Sequence, residues 1–366
     1  MPQIKDITQA LEKLAPLSYQ EDYDNAGLLV GSPLEEVSGV LISLDVTEDV
    51  VAEAIRKNCN LIVAHHPILF KGLKKLNGKN YVERTIIKAI QNNIAIYATH
   101  TNLDHVEQGV NRMIAQRLGL ENLKILVPKK QLLKKLTFFV PLSSSEEVLN
   151  ALFDAGAGSV GKYSHCSFRL EGTGSFLPEQ DAKPTIGHLG QLEEVQEHRI
   201  EVLFPSYLEN SVMTALRKVH PYEEVAYYLH VLENENQEVG AGAVGDLPSP
   251  MPVQDFLHML KAQMNAGVVK YTNPHCETIK RVAVCGGAGS FLLSHAKSAR
   301  ADVFVTADYK YHEFFDAENQ IMVCDIGHYE SEVYTKDLLY NYLSGIFSNF
   351  ALCLSDVNTN PVKYYV

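Results

Sequence analysis

Two hydrophobic rhythms alternate along the chain. In the first third, ITQALEKLAPL and TEDVVAEAIRKN carry apolar residues at helical spacing, Thr47 stands as N-cap of the second, and TIIKAIQNN predicts a third helix. Between them VSGVLISLDV, NLIVAHHP and IAIYATHTNLD are short apolar runs suited to buried strands. This β-α-β-α-β succession predicts a parallel sheet with crossover helices, and the functional loops of such a sheet gather at the carboxyl ends of its strands.

From about Lys134 to Leu232 the rhythm changes. LTFFVPL, CSFRLEGTGSF, HRIEVLFP and EVAYYLHVL predict strands, and SSSEEVLNALFDAG and YLENSVMTALRKVH predict helices, in the ferredoxin-like order β-α-β-β-α-β. After the linker-like ENENQEVGAGAVGDLPSPMP the first rhythm resumes. VQDFLHMLKAQM is a helix, KRVAVCGGAGSFL a strand entering a glycine-rich turn, ADVFVTADYKYHE a strand with a polar end, and QIMVCDIGHYESEVYTKDLLYNYL a strand followed by a long helix. The expectation is an α/β fold with a discontinuous core of two α/β halves, residues 1–128 and 234–366, with parallel-type sheets. A ferredoxin-like domain at 129–233 is inserted between them.

Composition narrows this picture. The 366 residues, 46% hydrophobic and 21% charged, suit two or three ordinary globular domains. A net charge of −12 argues against non-specific binding to nucleic acid or to an anionic membrane surface. The opening MPQIKDITQALEKLAPL has no apolar signal-like core and no stretch is apolar enough to span a bilayer, so the expected location is cytoplasmic. The six cysteines are scattered without any C-x-x-C spacing, which points to buried structural thiols and away from a disulfide framework or a zinc knuckle.

Chemistry concentrates where the apolar runs stop: AHHP (His65, His66), HTNLD (His100, Asp104), TADYKYHE (Asp308, His312, Glu313) and DIGHYESE (Asp325, His328, Glu332). The donors are nitrogen and oxygen without sulfur, a set suited to zinc, iron(II) or manganese, and carboxylates are able to bridge two metals. Two metals about 3.5–4 Å apart hold and deprotonate a water, so the implied chemistry is hydrolytic. His328 and Glu332, four apart at a helix start, share a face. At a strand end His65 and His66 diverge, one imidazole toward each of two metals, and Pro67 stops the ladder. A single buried histidine is more often a hydrogen-bonded core residue; it is the agreement of several strand ends that favours a site. His100 divides evenly between a supporting donor and a core group, His312 between a general acid or substrate contact and surface packing, and His105 is expected to be an exposed neighbour.

AHHP, HTNLD, TADYKYHE and GHYESE, with YDNAGLLVG (Tyr23 to Gly31), closely resemble the GTP cyclohydrolase 1 type 2 homologue family, also called Nif-three-like proteins. The resemblance covers nearly the whole chain, and GKYSHCSFRLEGTGSF and HPYEEVAYYL look like the PII/CutA-like domain of longer bacterial members. It implies a dinuclear metal site on His65, His66, Asp104, His328 and Glu332, with Glu332 bridging, and a toroidal homohexamer. It also implies opening of the guanine imidazole ring of GTP with release of formate, with His312 or His100 moving protons. Tyr23 stands where many members have tryptophan and TAD replaces the commoner Thr-Gly-Asp/Glu; neither touches a proposed ligand. The alternatives are a dinuclear phosphoesterase or amide hydrolase, and a non-catalytic hexameric metal-binding regulatory or assembly protein.

Three further features carry candidate chemistry. Lys71, Lys74 and Lys75 in FKGLKKL would suit a triphosphate, or form a solvated loop. GAGSVG and GAGAVG match G-x-G-x-x-G but lack the strand-turn-helix context of a dinucleotide site, whereas CGGAGS follows a strand and would offer backbone N–H groups to an anion or allow close backbone packing. In the insert, Glu223 and Glu224 of HPYEEVAYYL are expected to serve assembly or to cover the cavity mouth, with a regulatory ligand site as the alternative.

Overall fold

The computed structural model describes residues 2–365. The chain forms two compact units, one of the residues up to Pro128 together with those from Gln237 onward, the other Lys129–Asn236.

In the first unit, the apolar runs Val40–Ser43, Leu61–Ala64 and Ala95–Ala98 are buried along their whole length and pair in parallel. Leu352–Leu354 adds a parallel strand beside Val40–Ser43. The edge strand Gly27–Val30 runs antiparallel to Ala95–Ala98, so the sheet is mixed and not wholly parallel. Helices Glu48–Arg56 and Tyr81–Gln91 begin at Thr47 and Asn80, whose side chains accept from the backbone N–H groups of Val50 and Glu83. Their apolar faces bring Val50, Ala54, Ile86 and Ala89 against Leu41, Ile62 and Ile96 of the sheet. Register fixes where the polar ends emerge: Ser43, Ala64 and Ala98 stand level, so the residues after each leave the sheet at one edge.

The second sheet has six strands. Thr278–Ala288, Val303–Ala307 and Met322–Asp325 are parallel; Asn236–Pro252 and Lys270–Tyr271 flank them antiparallel, and Glu121–Lys129 completes the edge. Again the ends align, Ala288 with Ala307 and Thr306 with Asp325.

The linker-like segment is a 17-residue strand, Asn236–Pro252. Its glycines reflect close approach: a Cβ on Gly240 would meet the Val127 carbonyl and lie 2.8 Å from Pro128 Cα. HTNLD does not continue a strand either, because the chain leaves the sheet after Ala98 and forms the short helix Thr101–His105. The expected long helix after GHYESE is two helices, His328–Glu332 and Thr335–Ile346.

The second unit is a four-stranded antiparallel sheet in the order Phe168–Phe176, Glu193–Pro205, Leu133–Pro141, Tyr227–Leu232. Leu136, Phe138, Ile200, Val202 and Phe204 face the helices Ser145–Asp154 and Glu209–Val219, whose Leu149, Leu152, Val212 and Leu216 complete the core.

Gly240→Val tests the strand assignment. Overpacking against the neighbouring strand is expected to cost about 1–3 kcal/mol, read as a lower urea midpoint; an unchanged midpoint would return the segment to a linker.

Candidate metal centre

The aligned edges of the two sheets deliver a cluster of imidazoles and carboxylates. His65 and His66 follow Leu61–Ala64 directly, His100 and Asp104 come from the turn and short helix after Ala95–Ala98, and His328 and Glu332 lie one turn apart on the helix after Met322–Asp325. Their donor atoms form three overlapping groups, each within 4.8 Å: His65, His66 and His100; His66, His328 and Glu332; and His65, Asp104 and Glu332.

Each imidazole is held from behind. The Nδ1 atoms lie 2.9 Å from the Thr99 carbonyl for His65, 2.7 Å from Asp45 for His66, 2.8 Å from Asp24 for His100 and 2.7 Å from Asp308 for His328. Those acceptors place the ring proton on Nδ1 and leave Nε2 as the donor facing the cluster, the arrangement by which outer carboxylates orient histidine ligands. Glu332 Oε2 is 2.9 Å from His66 Nε2, 3.0 Å from His328 Nε2 and 3.8 Å from His65 Nε2. The two Nε2 atoms of His66 and His328 face each other at 3.3 Å.

A divalent cation fits this donor set. His65 Nε2 and Asp104 Oδ1 are buried and have no hydrogen-bond partner, although they approach to 3.6 Å. Leaving such groups unpaired costs about 1–3 kcal/mol each, a cost a shared cation removes. Electrostatics point the same way. Burial would raise Glu332, but the imidazoles of His328, His65 and His66 hold it well below the usual carboxylate range. Burial and the charge of Glu332 push Asp104 well above it. Burial lowers His65 to about 4, whereas His66 rises to about 10 and His328 to about 9, because Asp45, Asp308 and Glu332 outweigh burial. Protons on His66 and His328 balance the buried carboxylate, and metal would bind in competition with them. Cys285 lines the neighbouring cavity but belongs to none of the three donor groups, so the donor set is free of sulfur.

The surrounding residues explain the local sequence. Gly287, at φ +59°, has no room for a side chain: a Cβ there would lie 2.5 Å from Glu332 Oε1 and 3.2 Å from His328. The N–H groups of Gly286 and Gly287 donate to Asn111 and to Ser331 Oγ, so of the two readings of CGGAGS these glycines follow close packing. Asn111 also donates to the Asp104 carbonyl, tying the two halves of the centre together. Asp325 accepts from the N–H groups of Tyr309 and Gly327 and pairs with Lys270, and Glu313 accepts from the Lys310 N–H, so both acids serve local structure.

Other residues fall elsewhere. His312 is exposed and packs with Tyr311 and Phe315, outside the three donor groups. His105 is not an exposed neighbour but is 6% exposed, its Nδ1 2.9 Å from the Tyr19 carbonyl, because the short helix turns it inward. Lys71, Lys74 and Lys75 are exposed. Cys59, Cys285 and Cys324 are buried, whereas Cys166, Cys276 and Cys353 are partly exposed, so the expectation of buried thiols holds for half of them. Sequence reasoning passed over Asp24, Asp45 and Asn111. Asp45 had a signal, since SLDV is another apolar strand ending in an acid. Cavities open beside the cluster. One of about 510 Å³ is edged by Tyr23, Phe70, His100 and Phe291; the other, of about 620 Å³, is edged by Asp45, Lys270, Asp325 and Tyr364.

Fold and site together define an α/β protein with a buried histidine–carboxylate cluster suited to metal. The chain belongs to the Duf34/NIF3 (NGG1p interacting factor 3) family, which it matches over residues 2–361. It is 38% identical to the GTP cyclohydrolase 1 type 2 homolog of Bacillus subtilis across 98% of both chains, and 37% identical to that of Halalkalibacterium halodurans, again across 98% of both. Among solved structures it is similar to a Bacillus cereus protein related to NIF3 (TM-score 0.89, 38% identity, 100% of this chain and 99% of that one). It is also similar to Staphylococcus aureus protein SA1388 (TM-score 0.80, 32% identity, the same coverage). No helix among the described residues is long and apolar enough to cross a membrane.

Asp45→Asn keeps the side chain's shape and removes the charge behind His66. Zinc affinity, read by competition with a chromogenic chelator, is expected to fall about 10–100-fold; unchanged affinity would show that Asp45 does not set the ring.

Proposed function

We propose that this chain is a metal-dependent hydrolase acting on a nucleotide, with two divalent ions, zinc, iron or manganese, held by His65, His66, Asp104, His328 and Glu332. One observation carries the reading: Glu332 belongs to two overlapping donor groups, with His66 and His328 on one side and His65 and Asp104 on the other, as suits a bridging carboxylate. When bound, such an ion pair supplies Lewis-acid polarisation and a water acidic enough to attack near neutral pH.

The chain's own residues do the rest. Asp45 and Asp308 fix the orientation of His66 and His328, and the Thr99 carbonyl fixes that of His65. His100, oriented by Asp24 and lining the 510 Å³ cavity, is placed to pass a proton to or from a substrate atom. His312, outside the cluster, is given no part. Tyr23, Phe70 and Phe291, all exposed at the cavity edge, offer ring faces to a planar base. The names of these relatives support GTP as substrate, and opening of its imidazole ring with release of formate is the reaction the family resemblance implies. The inserted unit is read as ferredoxin-like from its β-α-β-β-α-β order and antiparallel sheet. A homohexamer is the state the family resemblance supports, and a cytoplasmic location is the reading of the sequence patterning alone.

Metal analysis of protein purified without added metal is expected to give close to two ions per chain, falling sharply in Glu332→Ala. With GTP, formate should accumulate, and His100→Ala should slow it about 10²–10⁴-fold with metal content retained. Phosphate release without formate would favour a phosphoesterase, and bound metal with turnover of neither kind would leave a binding protein. Light scattering should report six chains of 40.7 kDa; a monomer or dimer would remove the hexamer.

A further inference from the structure

Within the inserted unit, the sheet's open face holds a cavity that plays no part in the chemistry above. Ile200, Val202 and Phe204 point to the helices, so by alternation Glu197 points to the opposite face. There it is only 7% exposed, an unusual position for a carboxylate on a strand. Tyr222 donates to Glu197 Oε1 at 2.8 Å, and Oε2 has no hydrogen-bond partner among the described residues. Gly174 on the adjacent strand makes room for it, since a Cβ there would collide with that oxygen.

Among the described residues no cation balances this buried charge. The nearby imidazole of His220 is locked neutral: its Nε2 lies 2.8 Å from the Phe139 carbonyl, to which it donates, and its Nδ1 accepts from the Tyr222 N–H at 3.1 Å. Burial also lowers the proton affinity of that ring. The cavity, about 440 Å³, is lined by no lysine or arginine side chain. Its walls include Phe139, Phe176 and Tyr222, and its rim carries Glu179, Glu223 and Glu224. A largely enclosed carboxylate that lines a cavity without a counter-ion attracts a cation, aromatic faces attract cations too, and a cavity of this size suits a small molecule.

We propose that this cavity is a binding site for a small organic ammonium ion, with Glu197 pairing the ammonium group and Phe176 and Tyr222 packing on its apolar body. The site gives the Glu223–Glu224 segment of HPYEEVAYYL a ligand-binding role. It is independent of the hydrolase reading.

The test is calorimetric titration of the full chain with phenethylammonium chloride and, separately, with the neutral 3-phenylpropan-1-ol. The ammonium ion is expected to bind saturably and at least about tenfold more tightly than the alcohol, and Glu197→Gln should abolish that preference while leaving the weak alcohol binding. The exposed pair Glu223→Gln with Glu224→Gln should weaken the ammonium ion about two- to fivefold, which keeps the test open if Glu197→Gln fails to fold. Glu332→Ala should leave the titration unchanged, separating this cavity from the metal centre. Absence of saturation, equal affinity for the alcohol, insensitivity to both glutamate variants, loss in Glu332→Ala, or displacement by equimolar calcium chloride would each overturn the proposal.

Discussion

Glu332 is a carboxylate held at 3% exposure among three imidazoles, and much of the first unit is arranged around it. Taking such a charge out of water costs on the order of several kcal/mol unless neighbours offset it. The compensation comes from both halves of the unit, His65 and His66 from the first and His328 from the second. The same requirement excludes a side chain at Gly287 and directs Ser331 and Asn111 to the backbone of the glycine-rich turn.

Both sheets solve the problem alike. Parallel strands in level register bring their carboxyl ends to one edge, where polar residues no longer interrupt the apolar layers. The antiparallel strands sit toward the flanks and leave that edge intact. Behind each ligand-type imidazole stands an oxygen acceptor from a different segment: Thr99, Asp45, Asp24 and Asp308. Asp308 reaches its place in the left-handed region, at φ 56°, a conformation aspartate tolerates better than most residues.

The inserted unit repeats the theme of a buried carboxylate without the metal-type donors. Glu197 has a phenol and a neutral imidazole for neighbours, so nothing described in that sheet cancels its charge. The contrast with Glu332 is one of partners: imidazoles that take protons or a metal in one case, aromatic walls open to an organic cation in the other.

The sequence by itself determined the short apolar strands of the first unit, the Thr47 cap, and the concentration of histidine and carboxylate at strand ends. These come from side-chain chemistry and local periodicity. The one-turn spacing of His328 and Glu332 was legible for the same reason. Tertiary structure alone decided the antiparallel edges, the strand Asn236–Pro252, the inward turn of His105, the position of His312 outside the donor groups and the contacts of Asp24, Asp45 and Asn111. Each depends on register or on contacts between segments far apart in sequence. Glycines that read as linker-like lie in a strand whose neighbour leaves no room for a side chain at Gly240, a fact that local composition does not contain.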